Sequence, residues 1–148
     1  MSDTPMPLSL YQKDFYAWTQ EQSHALAGQN SENLDWKNLA EEIADLGNRH
    51  YDQLSYRLSI LIGHLLKWKY QPNIQSNSWK ATIREQRRKI IRLLQRNPGL
   101  KNRLEEAFAE AWLDGRDLAI RETGLDDGAF PEDCPFCLSQ IQDDHYWP

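Results

Sequence analysis

The fold is decided by the stretch WKNLAEEIADLGNRHYDQLSYRLSILIGHLLKW, which spans residues 36–68. Its apolar side chains recur every three or four residues without a break in phase, as on one face of an α-helix. Asp35 is a suitable N-cap, Pro72 cannot continue a helix, and the unbroken phase favours continuity through Gly47. The pattern therefore predicts one helix of about 34 residues, roughly 50 Å long. The predicted apolar face consists of Trp36, Leu39, Ala40, Ile43, Leu46, Leu54, Leu58, Leu61, Leu65 and Trp68, with His50 in the same series.

Helical periodicity also dominates the rest of the chain, and period-two alternation is nearly absent. The other predicted helices cover residues 10–27 with Gly28 as the stop, 79–95 with Ser78 as the N-cap, 100–123 with Gly124 as the stop, and a short segment from Pro135. Short connections place consecutive helices antiparallel. We therefore expect an all-α helical bundle of about four main helices, with a long central second helix and a short C-terminal helix, as a single domain over residues 1–148. The apolar end Tyr146-Trp147-Pro148 is expected to dock on the bundle.

The composition is that of an ordinary globular domain. A length of 148 residues suits one domain, and 26% of the residues are charged. Two cysteines are too few for a disulfide framework, which favours a reducing cytoplasm. Residues 1–16 lack the basic start and apolar run of a signal peptide, and no apolar stretch is long enough to span a membrane. We expect a cytoplasmic protein that makes no use of a membrane.

Positive charge is concentrated in the third predicted helix. The net charge of the chain is −5, yet residues 78–97 contain only one acid, Glu85. The seven basic residues of this segment are Lys80, Arg84, Arg87, Arg88, Lys89, Arg92 and Arg96. Most of them lie opposite the apolar face formed by Trp79, Ile83 and Ile90. This candidate basic surface, with Lys80, Arg88, Arg92 and Arg96 on its outer side, predicts binding of phosphate, nucleic acid or an acidic protein. In the alternative interpretation, the acidic fourth helix or the acidic tail covers it, or it is simply solvated.

Short motifs for catalysis or metal binding are weak. Cys134 and Cys137 form a C-x-x-C motif, but a redox site needs a neighbouring sheet and a zinc site needs two more ligands. Glu21 and His24 form one E-x-x-H, whereas a dimetal bundle needs two copies and two further glutamates. The chain has no phosphate-binding glycine loop, and its glycines are expected at turns and helix ends. We therefore expect no cofactor and no metal, and the motifs favour a protein that is not an enzyme.

A second set of polar residues follows the apolar faces. His50, His64 and Arg57 lie on or beside the face of the second helix, and Glu42 lies at its border. Charges that are partly buried must be paired. We expect pairs between the second and third helices, such as Glu42 or a nearby acid with Arg84 or Arg87. These pairs would form either a structural ion-pair network or a polar pocket for an anionic ligand.

A family resemblance covers nearly the whole chain in order. It is carried by YQKDFYAW (11–18), DWKNLAEEI (35–43) with Leu46-Gly47, HLLKW (64–68) with Gln71-Pro72, Ser78-Trp79 with TIREQR (82–87), and a tail containing Phe130-Pro131, Cys134-Pro135 and Trp147-Pro148. Together these stretches resemble the bacterial family called "domain of unknown function 29". Cys137 departs from that pattern, because a threonine or a similar residue is more typical there.

The resemblance implies an all-α domain, common in cyanobacteria, without an established activity. Its recurring polar signature corresponds here to Glu41, Glu42, His64, Lys67, Arg84, Glu85, Gln86 and Arg87. The leading hypothesis from the sequence is a protein that binds a protein or nucleic-acid partner through its third helix. The alternatives are a small-molecule or anion-binding protein or an enzyme with a polar pocket between helices two and three, and an antitoxin-like or scaffold subunit.

Overall fold

The computed structural model describes residues 6–148, and these residues form α-helices and short 3-10 turns without any strand. Residues 1–5, part of the segment expected to lack a signal peptide, lie outside the described residues. The helices are α1 (Leu10–Lys13), α2 (Phe15–Ala27), α3 (Trp36–Tyr70), α4 (Asn77–Arg96), α5 (Leu104–Thr123) and α6 (Leu138–Gln142). The predicted all-α class, the long second main helix and the short C-terminal helix are confirmed. Two compact units divide at Gly47, and the expectation of a single domain stays a prediction.

In the first unit, which ends at Gly47, the predicted helix over residues 10–27 is wrong in one respect, because it is divided at Asp14. Asp14 has an extended φ of −149°, and its carboxylate accepts the backbone N–H of Ala17 at 2.9 Å. This side-chain acceptor starts a new helix, as an N-cap does. At the other end, Gly28 keeps a right-handed conformation, and the left-handed residue is Gln29 at φ 53°.

The first unit has a small core made of Trp18, Gln22 and Ala25. The indole of Trp18 donates to Asp35 at 3.0 Å, and the amide oxygen of Gln22 accepts the backbone N–H of Asp35 at 2.7 Å. Asp35 also accepts the backbone N–H of Asn38, so its predicted role as the N-cap of α3 is confirmed. The predicted burial of the apolar face is wrong over the first turns of α3. Their exposed apolar residues include Trp36, Ile43 and Leu46.

The second unit, from Asn48 onward, contains the larger core. Here α3 contributes the fully buried Leu54, Leu58, Leu61 and Leu65, as its periodicity predicted. The main buried residues facing them are Ile83 and Ile90 of α4 and Ala107, Ala111 and Ala119 of α5. The 35 residues of α3 confirm the predicted length and continuity.

Two glycines lie inside helices of the second unit, which contradicts the expectation that glycines mark only turns and ends. A Cβ atom at Gly115 of α5 would lie 2.8 Å from the backbone oxygen of Ser59 in α3. A Cβ atom at Gly63 of α3 would lie 3.1 Å from the backbone oxygen of Gly115. These residues therefore allow the backbones of α3 and α5 to approach closely.

Three predicted helix starts are corrected. The helix predicted from residue 100, α5, begins at Leu104, because residues 98–103 form a 3-10 helix. The N-cap of α4 is Ser76 rather than Ser78, because the Ser76 hydroxyl accepts the backbone N–H of Trp79 at 3.1 Å. The last helix begins at Leu138 after Cys137, not at Pro135. The tail docks as expected, with the ring of Trp147 centred 4.8 Å from the ring of Trp68. None of the described helices is both long enough and apolar enough to cross a membrane.

Candidate functional site

Arg87 is a buried structural residue rather than part of an exposed basic surface. Its side chain is only 1% exposed. Its Nε donates to the carbonyl of Ile141 at 2.8 Å, and Nη2 donates to the carbonyl of Tyr146 at 2.8 Å and that of Gln140 at 3.4 Å. Burial lowers the pKa of Arg87, and the charges of the acidic tail oppose that shift. The hydrogen bonds of this guanidinium therefore hold the C-terminal tail against α4.

Lys67 forms a second polar centre of the second unit. The Lys67 ammonium, which is buried, pairs with Glu122 of α5 at 2.9 Å and lies 5.1 Å from the centre of the Trp79 ring. Burial raises the pKa of Glu122, but the hydrogen bond and charge of Lys67 outweigh it and leave this pKa below its ordinary value. Glu122 was missed in the sequence, although a buried lysine requires a partner.

His64 lies close to this ion pair. Its Nδ1 donates to the carbonyl of Ile60 at 2.8 Å, one turn back along α3. Burial lowers the pKa of His64, so the neutral imidazole is favoured in the fold. The arrangement is that of a histidine bonded to its own helix, which is the structural interpretation of this residue.

Two acids of the predicted polar set, Glu42 and Glu85, have local partners. Glu42 accepts a hydrogen bond from the hydroxyl of Tyr11 in the first unit, and this bond is the main cause that raises the pKa of Tyr11 to about 12. This bond gives Glu42 a partner within its own unit. The expected pairing of Glu42 or a nearby acid with Arg84 or Arg87 stays a prediction. Glu41 is exposed in the first unit. In the second unit, Glu85 pairs with Lys89 at 2.6 Å, one turn along α4.

Four arginines of α4 form an exposed row. Arg84, Arg88, Arg92 and Arg96 are exposed and follow one another at intervals of four residues, whereas Lys80 is half-buried. At 1.5 Å per residue, the row is about 18 Å long. Within residues 6–148, the ion pairs are Lys67–Glu122, Lys89–Glu85 and Arg103–Glu106, so the row takes part in none of them.

The C-terminal half of the row borders a groove between α3 and α4. We call this the basic groove, and its volume is about 230 Å³. It is lined by His50, Gln53 and Arg57 of α3 and by Lys89, Arg92, Leu93, Arg96 and Asn97 at the end of α4. None of these described residues is acidic. Arg57 is partly held by Gln86, whose side-chain oxygen accepts from Nη1 at 3.4 Å. His50, expected in the core, is exposed at this groove.

The N-terminal half of the row is nearer to the tail. A second cavity of about 230 Å³ is lined by Arg84, Arg87, Arg88 and Asp144. The tail thus brings an acid to this part of α4, as the alternative interpretation of the basic helix expected. The acid lies beside Arg84 and Arg88, while Arg92 and Arg96 border the basic groove.

Another groove of the second unit has the opposite charge and was missed in the sequence. We call it the acidic groove, and its volume is about 500 Å³. It lies between α3 and α5 and is lined by Asp52, Ser55, Tyr56, Ser59, Glu110, Asp114, Asp117, Leu118 and Arg121. The acids of α5 repeat at intervals of three or four residues, which is the signal that predicts one charged side of a helix.

The cysteines are free thiols. Burial raises the pKa of Cys134, while a hydrogen bond with Ser139 lowers the pKa of the exposed Cys137. Among the described residues, no cluster of histidine, cysteine and acidic side chains could hold a metal ion. His24 is exposed and lines a surface cavity with Glu21, and the sequence contains no second E-x-x-H.

The comparisons with known proteins identify a family. The model of the family described as "Domain of unknown function DUF29" matches residues 10–147. No curated protein and no solved structure matches the chain. The resemblance found in the sequence is confirmed, and the chain belongs to this family.

Proposed function

We propose that this member of the DUF29 family binds the phosphate backbone of nucleic acid through the arginine row of α4 and the basic groove beside it. The observation that carries the proposal is the row itself. Arg84, Arg88, Arg92 and Arg96 are exposed and stand outside the ion pairs found among the described residues. Unpaired guanidinium groups on a rigid helix are suited to several phosphates at once.

The basic groove supports a phosphate as the bound group. Arg92 and Arg96 reach it from α4, and Arg57 and His50 reach it from α3. Its volume of about 230 Å³ lies below the range of about 300–1,000 Å³ that is usual for organic ligands. A phosphate group is small enough for such a groove, and the planar guanidinium binds it through two hydrogen bonds.

The lining residues favour contact with the backbone over contact with bases. The basic groove has no tryptophan, tyrosine or phenylalanine on which a base could stack. Binding by charge alone is insensitive to sequence and weakens steeply with salt. We therefore expect double-stranded nucleic acid to bind at least as well as single strands.

The proposal is tested by fluorescence anisotropy with labelled 20-base-pair RNA and DNA duplexes. The Arg92→Gln/Arg96→Gln variant should bind about tenfold more weakly or worse, since each arginine contacts phosphate. The Lys37→Gln/Lys101→Gln variant loses the same charge at exposed positions outside the groove and should bind within about twofold of the wild type. Equal losses in both variants would contradict a site on α4.

An acidic protein is the competing partner for the same arginines. A labelled poly-glutamate peptide of matched charge, measured in the same assay, separates the two. Tighter binding of the duplex supports the proposal. Binding of the peptide with no binding of either duplex would overturn it in favour of a protein partner.

A further inference from the structure

We propose that the first three turns of α3, residues 36–47, form a dimer interface in which a second copy of the chain pairs antiparallel with this segment. The proposal concerns the first unit and is independent of nucleic-acid binding. Its starting point is an apolar helix face that the described residues leave largely exposed. Trp36 and Ile43 are each 66% exposed, and Leu46 is 53% exposed.

The exposed residues form one uncharged face. At about 100° per residue, Trp36, Ile43 and Leu46 fall within about 80° of one another around the helix. The same face contains Leu39, Ala40, Ala44 and Gly47. The charged residues of these turns, Lys37, Glu41, Glu42 and Asp45, point more than about 90° away from Trp36. A contiguous apolar patch of this kind marks a binding surface rather than ordinary scatter.

The first unit also has too small a core for two amphipathic helices. Its buried residues are Trp18, Gln22 and Ala25, while α2 itself exposes half of Leu26. An amphipathic helix must bury its apolar stripe against another element, and a four-helix bundle does so around one core. A second copy supplies two more helices of the same kind, which is why we choose it as the occupant.

The face is complementary to itself in the antiparallel direction. In the proposed register, the two antiparallel segments are centred on residue 41, so the numbers of two facing residues add up to 82. Trp36 is then level with Leu46 of the partner subunit. Leu39 is then level with Ile43 of the partner subunit, so each of the four large apolar side chains faces another one. The indole of Trp36 would lie over Gly47 of the partner subunit. A Cβ atom at Gly47 would have no heavy atom within 4 Å, so there is room for a ring at this position.

The area involved predicts a weak dimer. A tryptophan side chain buries up to about 250 Å². At 66% exposure, the two Trp36 rings would therefore remove about 330 Å² from water. When the exposed areas of Leu39, Ile43 and Leu46 are added, the interface still buries less than about 1,200 Å² in total. Interfaces of that size are typical of weak, reversible complexes. We expect monomer and dimer to coexist at about 10–100 μM chain.

Sedimentation equilibrium between 5 and 300 μM tests the interface. The wild type should show a monomer–dimer equilibrium that survives 1 M salt, because the face is apolar. Ile43→Glu should shift the dissociation constant by about tenfold or more. The matched control is Leu113→Glu, since Leu113 of α5 is 65% exposed, and this variant should dimerise like the wild type. A wild type that stays monomeric at 300 μM, or equal effects of the two variants, would overturn the proposal.

Disulfide trapping tests the direction of pairing and uses Cys134→Ser/Cys137→Ser as the background. In the proposed register, two copies of residue 40 are offset by about 3 Å along the helix axis, and two copies of residue 46 by about 15 Å. Ala40→Cys should therefore form a covalent dimer under mild oxidation, and Leu46→Cys should not. Efficient cross-linking through Leu46→Cys, or none through Ala40→Cys, would overturn the antiparallel pairing.

Discussion

The guanidinium of Arg87 is bound by three carbonyl oxygens of the tail. Arg87→Met would leave these oxygens without their donor, and we expect it to lower the free energy of unfolding by about 3 kcal/mol. Urea denaturation measures this loss, and hydrogen exchange should show faster opening of residues 138–148. The control Arg92→Met removes an exposed arginine and should cost no more than about 0.5 kcal/mol. Equal losses would show that Arg87 does not hold the tail.

His64 makes stability depend on pH. Burial lowers its pKa below the ordinary value of 6.5, so the unfolded chain binds a proton at a higher pH than the folded one. The stability that the fold gains from a neutral His64 is therefore fully present above pH 6.5 and is lost as the pH falls below that value. In His64→Gln, the loss of stability between pH 7.5 and 5.5 should be smaller than in the wild type. Thermal unfolding measures it, and His24→Gln, at an exposed position, should retain the wild-type slope. An unchanged slope in His64→Gln would contradict the assignment.

Single residues differ in how far the sequence determines their roles. Asp35 acts on its own neighbours, so its capping role follows from the local pattern. The burial of Arg87 does not, because its acceptors lie more than 50 positions away along the chain. Periodicity predicts on which side of α4 Arg87 lies, opposite the apolar face. It does not predict that the C-terminal tail packs against that side.

At the scale of the helices, the approach of α3 to α5 depends on Gly115. In Gly115→Ala, the new Cβ atom would lie 2.8 Å from the Ser59 oxygen and 2.9 Å from Ile62. We expect a loss of about 1–3 kcal/mol, despite the higher helix propensity of alanine. Gly99→Ala is the control, since a Cβ there meets open space and Gly99 lies outside the proposed dimer interface, and it should be neutral or stabilising by up to about 1 kcal/mol. Chemical denaturation of both variants decides the matter. A gain of stability in Gly115→Ala would show that the helices are not closely packed there.

The bounds of α3 followed from the sequence, because one phase of apolar residues runs through all its turns. The break at Asp14 did not, since the apolar pattern continues across it while a side-chain acceptor interrupts the backbone ladder. The arginine row followed from periodicity within α4. His50 and Arg57 lie beside this row only because α3 packs against α4. The pattern of a single helix does not show which helix packs against it.

At the scale of the whole molecule, a net charge of −5 conceals a separation of charge within the second unit. The basic groove lies between α3 and α4, and the acidic groove lies between α3 and α5. A polyanion would be attracted to the first and repelled by the second. Nucleic acid would therefore meet this unit in one orientation, with α4 toward the phosphates.

The salt dependence of duplex binding tests this account most directly. Each phosphate neutralised by an arginine contributes about 0.9 to the slope of log K against log salt concentration. The four arginines of the row should therefore contribute about −3 to −4 to the slope of the wild type between 50 and 200 mM salt. The variant with Arg84, Arg88, Arg92 and Arg96 all changed to glutamine should bind weakly, and its slope should fall to about −1, the part that Arg57 of the basic groove supplies. A wild type whose affinity does not depend on salt, or a variant that keeps the full slope, would contradict the proposed site on α4.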